Sequence, residues 1–298
     1  MNNQILMRSL LFVPAHNERL MASASKAEAD VLLFDIEDSV QPISNKQIAR
    51  DNILKYLQEG KFAGKCIFPR INDRESGELL KDVTQLTVDG ITGFMYPKAK
   101  TGEDIYFFCK LLETIEYEKG IPVGTFKIIP LIETASAVLN AQDICKASSR
   151  VVAIAYGSED FIADLEGQHD LEHESLFVPR NLIAMAARAT GVIPIDTVHV
   201  RVKDLEDLEK NLVLSKKLGY EGMLVLNPIE LALVHRYYSP SEQDVYEAEE
   251  ILRLDQIARE NNQGVAIMNG KFVGPPFVLK AKKILEKHNA ITKKKSNE

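Results

Sequence analysis

Apolar, β-branched runs recur along the chain roughly every 30 residues, with segments of helical period between them. The runs are RSLLFVP, ADVLLFDIED, KCIFPRIN, GFMYPK, FKIIPLIET, VVAIAYGSED, IDTVHV and GMLVLNP. They end near Pro14, Asp38, Asn72, Lys98, Glu133, Asp160, His199 and Asn227. Near-continuous hydrophobicity marks strands covered on both faces, as in a parallel sheet. NKQIARDNILKYLQ and ASAVLNAQDICKAS carry apolar residues at i, i+3 and i+4, and LVLSKKLGYEG closes a helix on Gly219. Eight strand–helix units predict an α/β chain folded as a (β/α)8 barrel. A doubly wound open sheet is the rival, but no GxGxxG follows the first strand and eight units is high for it.

After the eighth run the pattern changes. SPSEQDVYEAEEILRLDQIARENN predicts a long capped helix, GVAIMNGKFVG a hairpin turning at Asn269-Gly270, and FVLKAKKILEKH a last amphipathic helix. The expected division is a barrel over residues 1–235 and a helix–hairpin–helix appendage over 236–298, a lid or an oligomerisation element.

Composition narrows the function without naming it. The chain has 298 residues, 45% hydrophobic and 27% charged, which is ordinary for a globular protein. A net charge of −7 excludes the basic surface that nucleic-acid binding needs. The run Lys293-Lys294-Lys295 reads as a solvated tail. Cys66, Cys109 and Cys145 are widely spaced and contain no CxxC, which fits a reducing compartment. There is neither a signal-peptide pattern nor an apolar stretch of the ~18 residues a membrane span needs, so a cytoplasmic protein is expected.

In such barrels chemistry sits at the carboxyl ends of the strands. Here those ends collect Asp35, Glu37, Asp38, Glu133, Glu159 and Asp160, balanced by Arg70 and Lys98. Strand alternation places Asp35 and Glu37 on one face and Asp38 on the other. Carboxylates with an arginine and no paired histidine suit a hard, oxygen-ligated cation such as Mg²⁺, with Glu133 and Asp160 as the ligand pair. Arg70 offers a fork for a substrate carboxylate or carbonyl. The plainer alternative is an ion network with no ligand. No GxSxG or Cys–His arrangement supplies a nucleophile. His169 and His173 stand four apart in LEGQHDLEHES, a polar setting that reads as an exposed segment rather than a zinc pair.

These stretches also resemble a known family. RSLLFVPAHNERL, ADVLLFDIEDSVQP, FPRIN, MYPKA, PLIETASAVLNAQDI, AIAYGSEDFIADL, GVIPIDTV, KLGYEGMLVLNPIEL and YYSPSEQDVYEAEEIL, in order from residue 8 onward, are similar to the citrate lyase β-subunits and the malyl-CoA and citramalyl-CoA lyases of the HpcH/HpaI aldolase group. The resemblance implies a Mg²⁺-dependent (β/α)8 lyase that breaks a carbon–carbon bond in a 3-hydroxyacyl thioester of CoA or a carrier protein. Glu133 and Asp160 would hold the metal and Arg70 would bind substrate and developing charge. Glu37 and Asp38 would orient Arg70 or metal-bound water, while Lys98, Pro14 and Arg19 would contact substrate. Trimers or hexamers are implied, and citrate lyase partner subunits are a further possibility the resemblance raises.

Two stretches depart from that pattern. GKFVGPP places Gly274 where relatives carry a lid aspartate that serves as acid–base, and LNP places Asn227 where many carry a histidine. His16 also replaces a frequent glycine. A metal-dependent 2-oxo-acid aldolase without CoA and a catalytically retired binding barrel therefore stand beside the lyase reading.

Overall fold

The computed structural model describes residues 5–168, 174–261, 264–268 and 271–297. Eight short strands make one parallel sheet: β1 Ser9–Pro14, β2 Val31–Asp35, β3 Cys66–Ile67, β4 Gly93–Tyr96, β5 Lys127–Ile132, β6 Ala153–Tyr156, β7 Ile193–Asp196 and β8 Gly222–Val225. Helices α1 Glu18–Ala24, α2 Asn45–Gln58, α3 Leu79–Leu86, α4 Gly102–Glu118, α5 Ala135–Leu139 and α6 Ala141–Lys146 alternate with the first six strands. The series continues with α7 Ser158–Asp164, α8 Glu174–Thr190, α9 Leu205–Leu218 and α10 Leu231–Tyr238. Strand order is β3-β2-β1-β8-β7-β6-β5-β4. This is the (β/α)8 barrel that the eight runs predict, its strands buried on both faces as a helix-covered parallel sheet requires.

The barrel closes between β3 and β4 by an irregular seam. KCIFPRIN yields only a two-residue strand because Pro69 has no N–H to donate. Closure comes instead from Met95 N donating to Pro69 O at 2.9 Å, Thr92 N to Ile67 O at 2.9 Å, and a lone bridge pairing Arg70 with Met95. Arg70 thus stands at the seam, bridged to β2 on its other side through Asp35.

Three expectations need correction. β2 ends at Asp35, whose carboxylate accepts the N–H of Glu37 at 3.0 Å and of Ser39 at 3.1 Å. The chain turns there, so alternation stops and Asp38 comes to the same guanidinium as Asp35 and Glu37. β7 ends at Asp196, not His199, because Asp196 Oδ1 takes the Thr197 N–H at 2.9 Å, away from the ladder. His199 lies beyond it, buried, with Nε2 3.1 Å from Asp204 O. ASAVLNAQDICKAS is two short helices, broken where Asn140 Nδ2 donates to Ser136 O at 3.0 Å and Lys100 O at 3.2 Å. Gly219 closes α9 as expected, in the left-handed conformation at φ 94°.

The described chain divides into two compact units, Met7–Val234 and the residues from His235 onward together with those before Met7. Within the second, α11 Glu242–Glu260 starts on a Ser241–Asp244 capping box. Strands β9 Ala266–Met268 and β10 Lys271–Val273 pair antiparallel, and α12 Pro275–Asn297 follows. Ala258, Ala266 and Val273 form this unit's small core, with Ile251, Leu254 and Met268 packed on it. The turn residues Asn269 and Gly270, and the pair His169 and His173, lie outside the described residues. No described helix is long and apolar enough to cross a membrane.

Candidate active site

One side of the barrel mouth is built around Arg70. Its Nε donates to Asp35 Oδ1 at 2.8 Å and its Nη2 to Asp35 Oδ2 at 2.7 Å, a two-point fork. Nη1 faces Glu37 Oε2 at 3.1 Å and Asp38 Oδ2 at 3.2 Å, while the guanidinium carbon lies 4.9 Å from the centre of the Phe12 ring. Burial works against the charge on Asp35, yet Arg70 and the turn N–H groups hold its carboxyl below the ordinary value. Glu37 is also buried, and desolvation prevails there over Arg70 and Lys98, pushing its carboxyl up to about 7. Lys98 Nζ stands 2.9 Å from Glu37 Oε1 and 3.5 Å from Asp73 Oδ2.

Two residues support this side from behind: Asn72, which ends the third apolar run, and Lys46, which the sequence did not single out. Lys46, buried on the first turn of α2, donates from Nζ to Ile36 O at 3.1 Å, to Glu37 O at 3.2 Å and to Asn72 Oδ1. Asn72 is in turn gripped by Asp82 Oδ2, at 2.8 Å from its N and 2.7 Å from its Nδ2, and Asp82 pairs with buried Arg50. Asn72 therefore acts within the scaffold rather than facing the mouth. The only sequence signal for Lys46 was its place in the turn after DIED; its partners are 9 to 26 residues away.

The other side carries Glu133 and Asp160. Glu133 follows β5 and is 2% exposed. Its Oε2 accepts the Lys98 N–H at 2.9 Å, delivered by Lys98 in the left-handed region at φ 53°, where non-glycine residues are uncommon. A side chain at Gly157 would put its Cβ 2.7 Å from Glu133 Cγ, so the loop after β6 is glycine to make room for this carboxylate. Desolvation, with the charge of Glu37 and more weakly that of Asp160 added, pushes the Glu133 carboxyl up to about 8. Asp160 is exposed on the first turn of α7. Among the described residues no cation lies at ion-pair distance from Glu133 or Asp160.

The residues proposed from sequence therefore fall into three groups. Arg70, Glu37, Asp38 and Lys98 meet in one network, and Glu133 joins it through Lys98. Asp160 neighbours Glu133 closely enough for its charge to act there. Pro14 sits at the end of β1 opposite Asp35, whereas Arg19 is exposed on the first turn of α1, with no ion pair to the Arg70 network. Asn227 caps the 3-10 turn Pro228–Glu230, accepting the Ile229 N–H at 3.1 Å.

No group of three or more His, Cys, Asp or Glu side chains among the described residues is arranged to hold a metal. A pair of carboxylates nevertheless suits Mg²⁺, which completes its shell with water and substrate oxygens. Buried Glu133, which the more distant Arg70 charge and the Lys98 N–H only partly offset, and the glycine that makes space for it fit a divalent cation.

An eight-stranded parallel barrel with carboxylates and an arginine at the strand ends defines a (β/α)8 enzyme architecture. The chain belongs to the HpcH/HpaI aldolase/citrate lyase family, whose model matches residues 8–228. By class it is a carbon–carbon lyase. It is 32% identical to the citrate lyase subunit beta of Leuconostoc mesenteroides subsp. cremoris over 290 residues, covering 97% of this chain and 96% of that one. The L-malyl-CoA/beta-methylmalyl-CoA lyase of Cereibacter sphaeroides is 28% identical over 308 residues, with 96% and 95% covered. The crystal structure of protein CitE from Mycobacterium tuberculosis with magnesium, acetoacetate and coenzyme A superposes with a TM-score of 0.74 at 25% identity, covering 95% of this chain and 98% of that one.

Proposed function

We propose that the protein is a Mg²⁺-dependent lyase that cleaves a 3-hydroxyacyl thioester, of the citryl, malyl or citramalyl kind, into an acetyl thioester and a 2-oxo acid. The observation that carries this reading is the division of the mouth: a fixed arginine on one side, and on the other a buried carboxylate with an exposed partner and, among the described residues, no cation at ion-pair distance. Relatives that act on malyl-CoA, and a similar structure holding magnesium and coenzyme A, support the substrate class.

Glu133 and Asp160 are the residues to hold Mg²⁺. When bound, the ion supplies Lewis acidity to an oxygen that is becoming a carbonyl. Arg70 has its Nε and Nη2 locked on Asp35, and its Nη1, held by Glu37 and half-exposed Asp38, is the edge that would turn to a substrate carboxylate and to charge developing beside it. Lys98 adds a second positive group, half-exposed beside Glu37. In the reaction the substrate hydroxyl loses its proton and becomes the keto group of the 2-oxo acid. The carbon–carbon bond breaks with its electron pair moving to the thioester's α-carbon, and that enolate takes a proton to become the acetyl methyl. Atoms balance without a further reactant.

The group that delivers the last proton differs from the family pattern, for Gly274 has no side chain to titrate. A Cβ at Gly274 would also meet the Phe272 ring at 2.6 Å, so an aspartate there requires that exposed ring to swing aside. Loss of one acid–base group costs ~10²–10⁴ in rate and leaves the remaining catalysis in place. The assay is incubation with Mg²⁺ and citryl-, malyl- and citramalyl-CoA, following acetyl-CoA and the 2-oxo acid by mass spectrometry. Cleavage of one thioester, lost in Arg70→Ala, is the expected result. Silence of both the native protein and Gly274→Asp would overturn the thioester lyase reading in favour of an aldolase without CoA or a binding role. The same proposal extends to assembly as a trimer or hexamer, which sedimentation checks directly.

A further inference from the structure

Asp160 sits on the first turn of α7, and that turn lacks the usual side-chain cap. The N-cap position is Gly157, which makes no side-chain bond and is kept glycine by the Glu133 side chain packed against it. A hydroxyl reaches the turn instead from Thr197, the residue just after β7. Thr197 Oγ1 accepts the Ser158 N–H at 3.2 Å and donates to Ser158 Oγ at 2.6 Å, and Ser158 Oγ donates onward to Glu159 Oε1 at 3.2 Å. Both hydroxyl residues are buried.

Thr197 is itself seated. Asp196 Oδ1 accepts the Thr197 N–H at 2.9 Å and the Arg180 Nε–H at 3.1 Å, and a second contact joins Arg180 Nη2 to Asp196 Oδ2. Asp196 and Arg180 are 1% and 2% exposed, and Tyr220 donates from its hydroxyl to Arg180 O at 2.9 Å. This ion pair is far from water and costly to disturb. A cavity of about 180 Å³ borders Ser158, Thr197 and Arg180, so packing alone leaves the turn room to shift once the hydroxyl pair is lost.

We propose that Thr197, seated by Asp196 and Arg180, is a positioning residue that holds the first turn of α7 from the loop just after β7 and so sets Asp160 for the metal. The inference rests on the reading of Glu133 and Asp160 as the metal pair. Outer groups of this kind are worth ~10–100-fold in metal affinity.

The test is Mn²⁺ binding to the full chain without substrate, read by electron paramagnetic resonance of the free ion, with thermal unfolding in EDTA alongside. Asp160→Asn should abolish binding. Thr197→Val should weaken it ~10-fold or more, and Thr197→Ser, which keeps the hydroxyl, should restore it. Wild-type Mn²⁺ affinity in Thr197→Val, with only a lowered melting temperature, would overturn the inference while leaving the metal reading intact. No Mn²⁺ binding by the native protein would overturn the metal reading and this inference together. Should Thr197→Val not fold, Asp196→Asn carries the comparison: unchanged affinity there also overturns the inference.

Discussion

The β2–β4 side and the β5–β6 side of the barrel mouth handle charge in opposite ways. On the first, Arg70 and Lys98 face Asp35, Glu37 and Asp38 at ion-pair distance, and Lys46 and Asn72 brace them from behind. On the second, Glu133 is as deeply buried as Asp35 but, among the described residues, has a backbone N–H and no cation at ion-pair distance, and Asp160 adds further negative charge. The difference separates charge that the fold neutralises for itself from charge left for something else to neutralise. On the proposed reading both sides serve one reaction, and the second is where an ion from outside would bind.

Breaking the compensated side should have the largest effect. Arg70→Ala leaves Asp35 buried without its partner, and a loss of about 3–5 kcal/mol is expected in urea unfolding, together with loss of cleavage. A stability loss below about 1 kcal/mol would mean the network is dispensable to the fold.

The uncompensated side should show itself in pH dependence. The Glu133 carboxyl lies near 8 in the folded metal-free chain against an ordinary 4.5. The folded state therefore holds the proton more tightly than the unfolded one. The resulting stability is fully present below about pH 4.5 and fades as pH rises through about 8. Unfolding free energies from urea titrations in EDTA should fall over that window by on the order of 4–5 kcal/mol from Glu133, and Glu133→Gln should remove that share and leave the smaller fall that Glu37 contributes. A midpoint that rises across the same window would show Glu133 to be ionised in the fold without a metal.

Gly157→Ala sharpens the comparison next, since its methyl would displace Glu133 without touching the Arg70 side. Metal affinity should fall ~10–100-fold, by calorimetry, and the EDTA-treated unfolding free energy should fall by the ~1–3 kcal/mol that overpacking a buried position costs. The smallest effect belongs to Asp38→Asn. Its side chain is 53% exposed, so despite a 3.2 Å approach to Arg70 the stability change should stay under about 1 kcal/mol.

Much of this arrangement was legible in sequence because strand ends in a barrel share one place. DIED, PRIN, PK, IET and GSED each end an apolar run, so Glu37, Arg70, Lys98, Glu133 and Asp160 could be assembled without coordinates. Alternation failed at Asp38 because Asp35 ends the strand by accepting two backbone N–H groups, a turn that pattern does not encode. His199 was misplaced for the same reason five strands later, at Asp196. Lys46 and Thr197 stayed hidden because their importance lies wholly in partners distant along the chain. The role of Gly157 has no signal in the sequence, because it lies in the Glu133 side chain that fills the space a methyl would take.

The central claim, that Glu133 and Asp160 await a divalent cation, is tested most directly by titrating Mg²⁺ into the EDTA-stripped protein at pH 7 by calorimetry in two buffers of different ionisation enthalpy. The account predicts saturable binding that releases a proton from Glu133, lost in Glu133→Gln and in Asp160→Asn. Absence of binding, or binding that survives both substitutions, would contradict it.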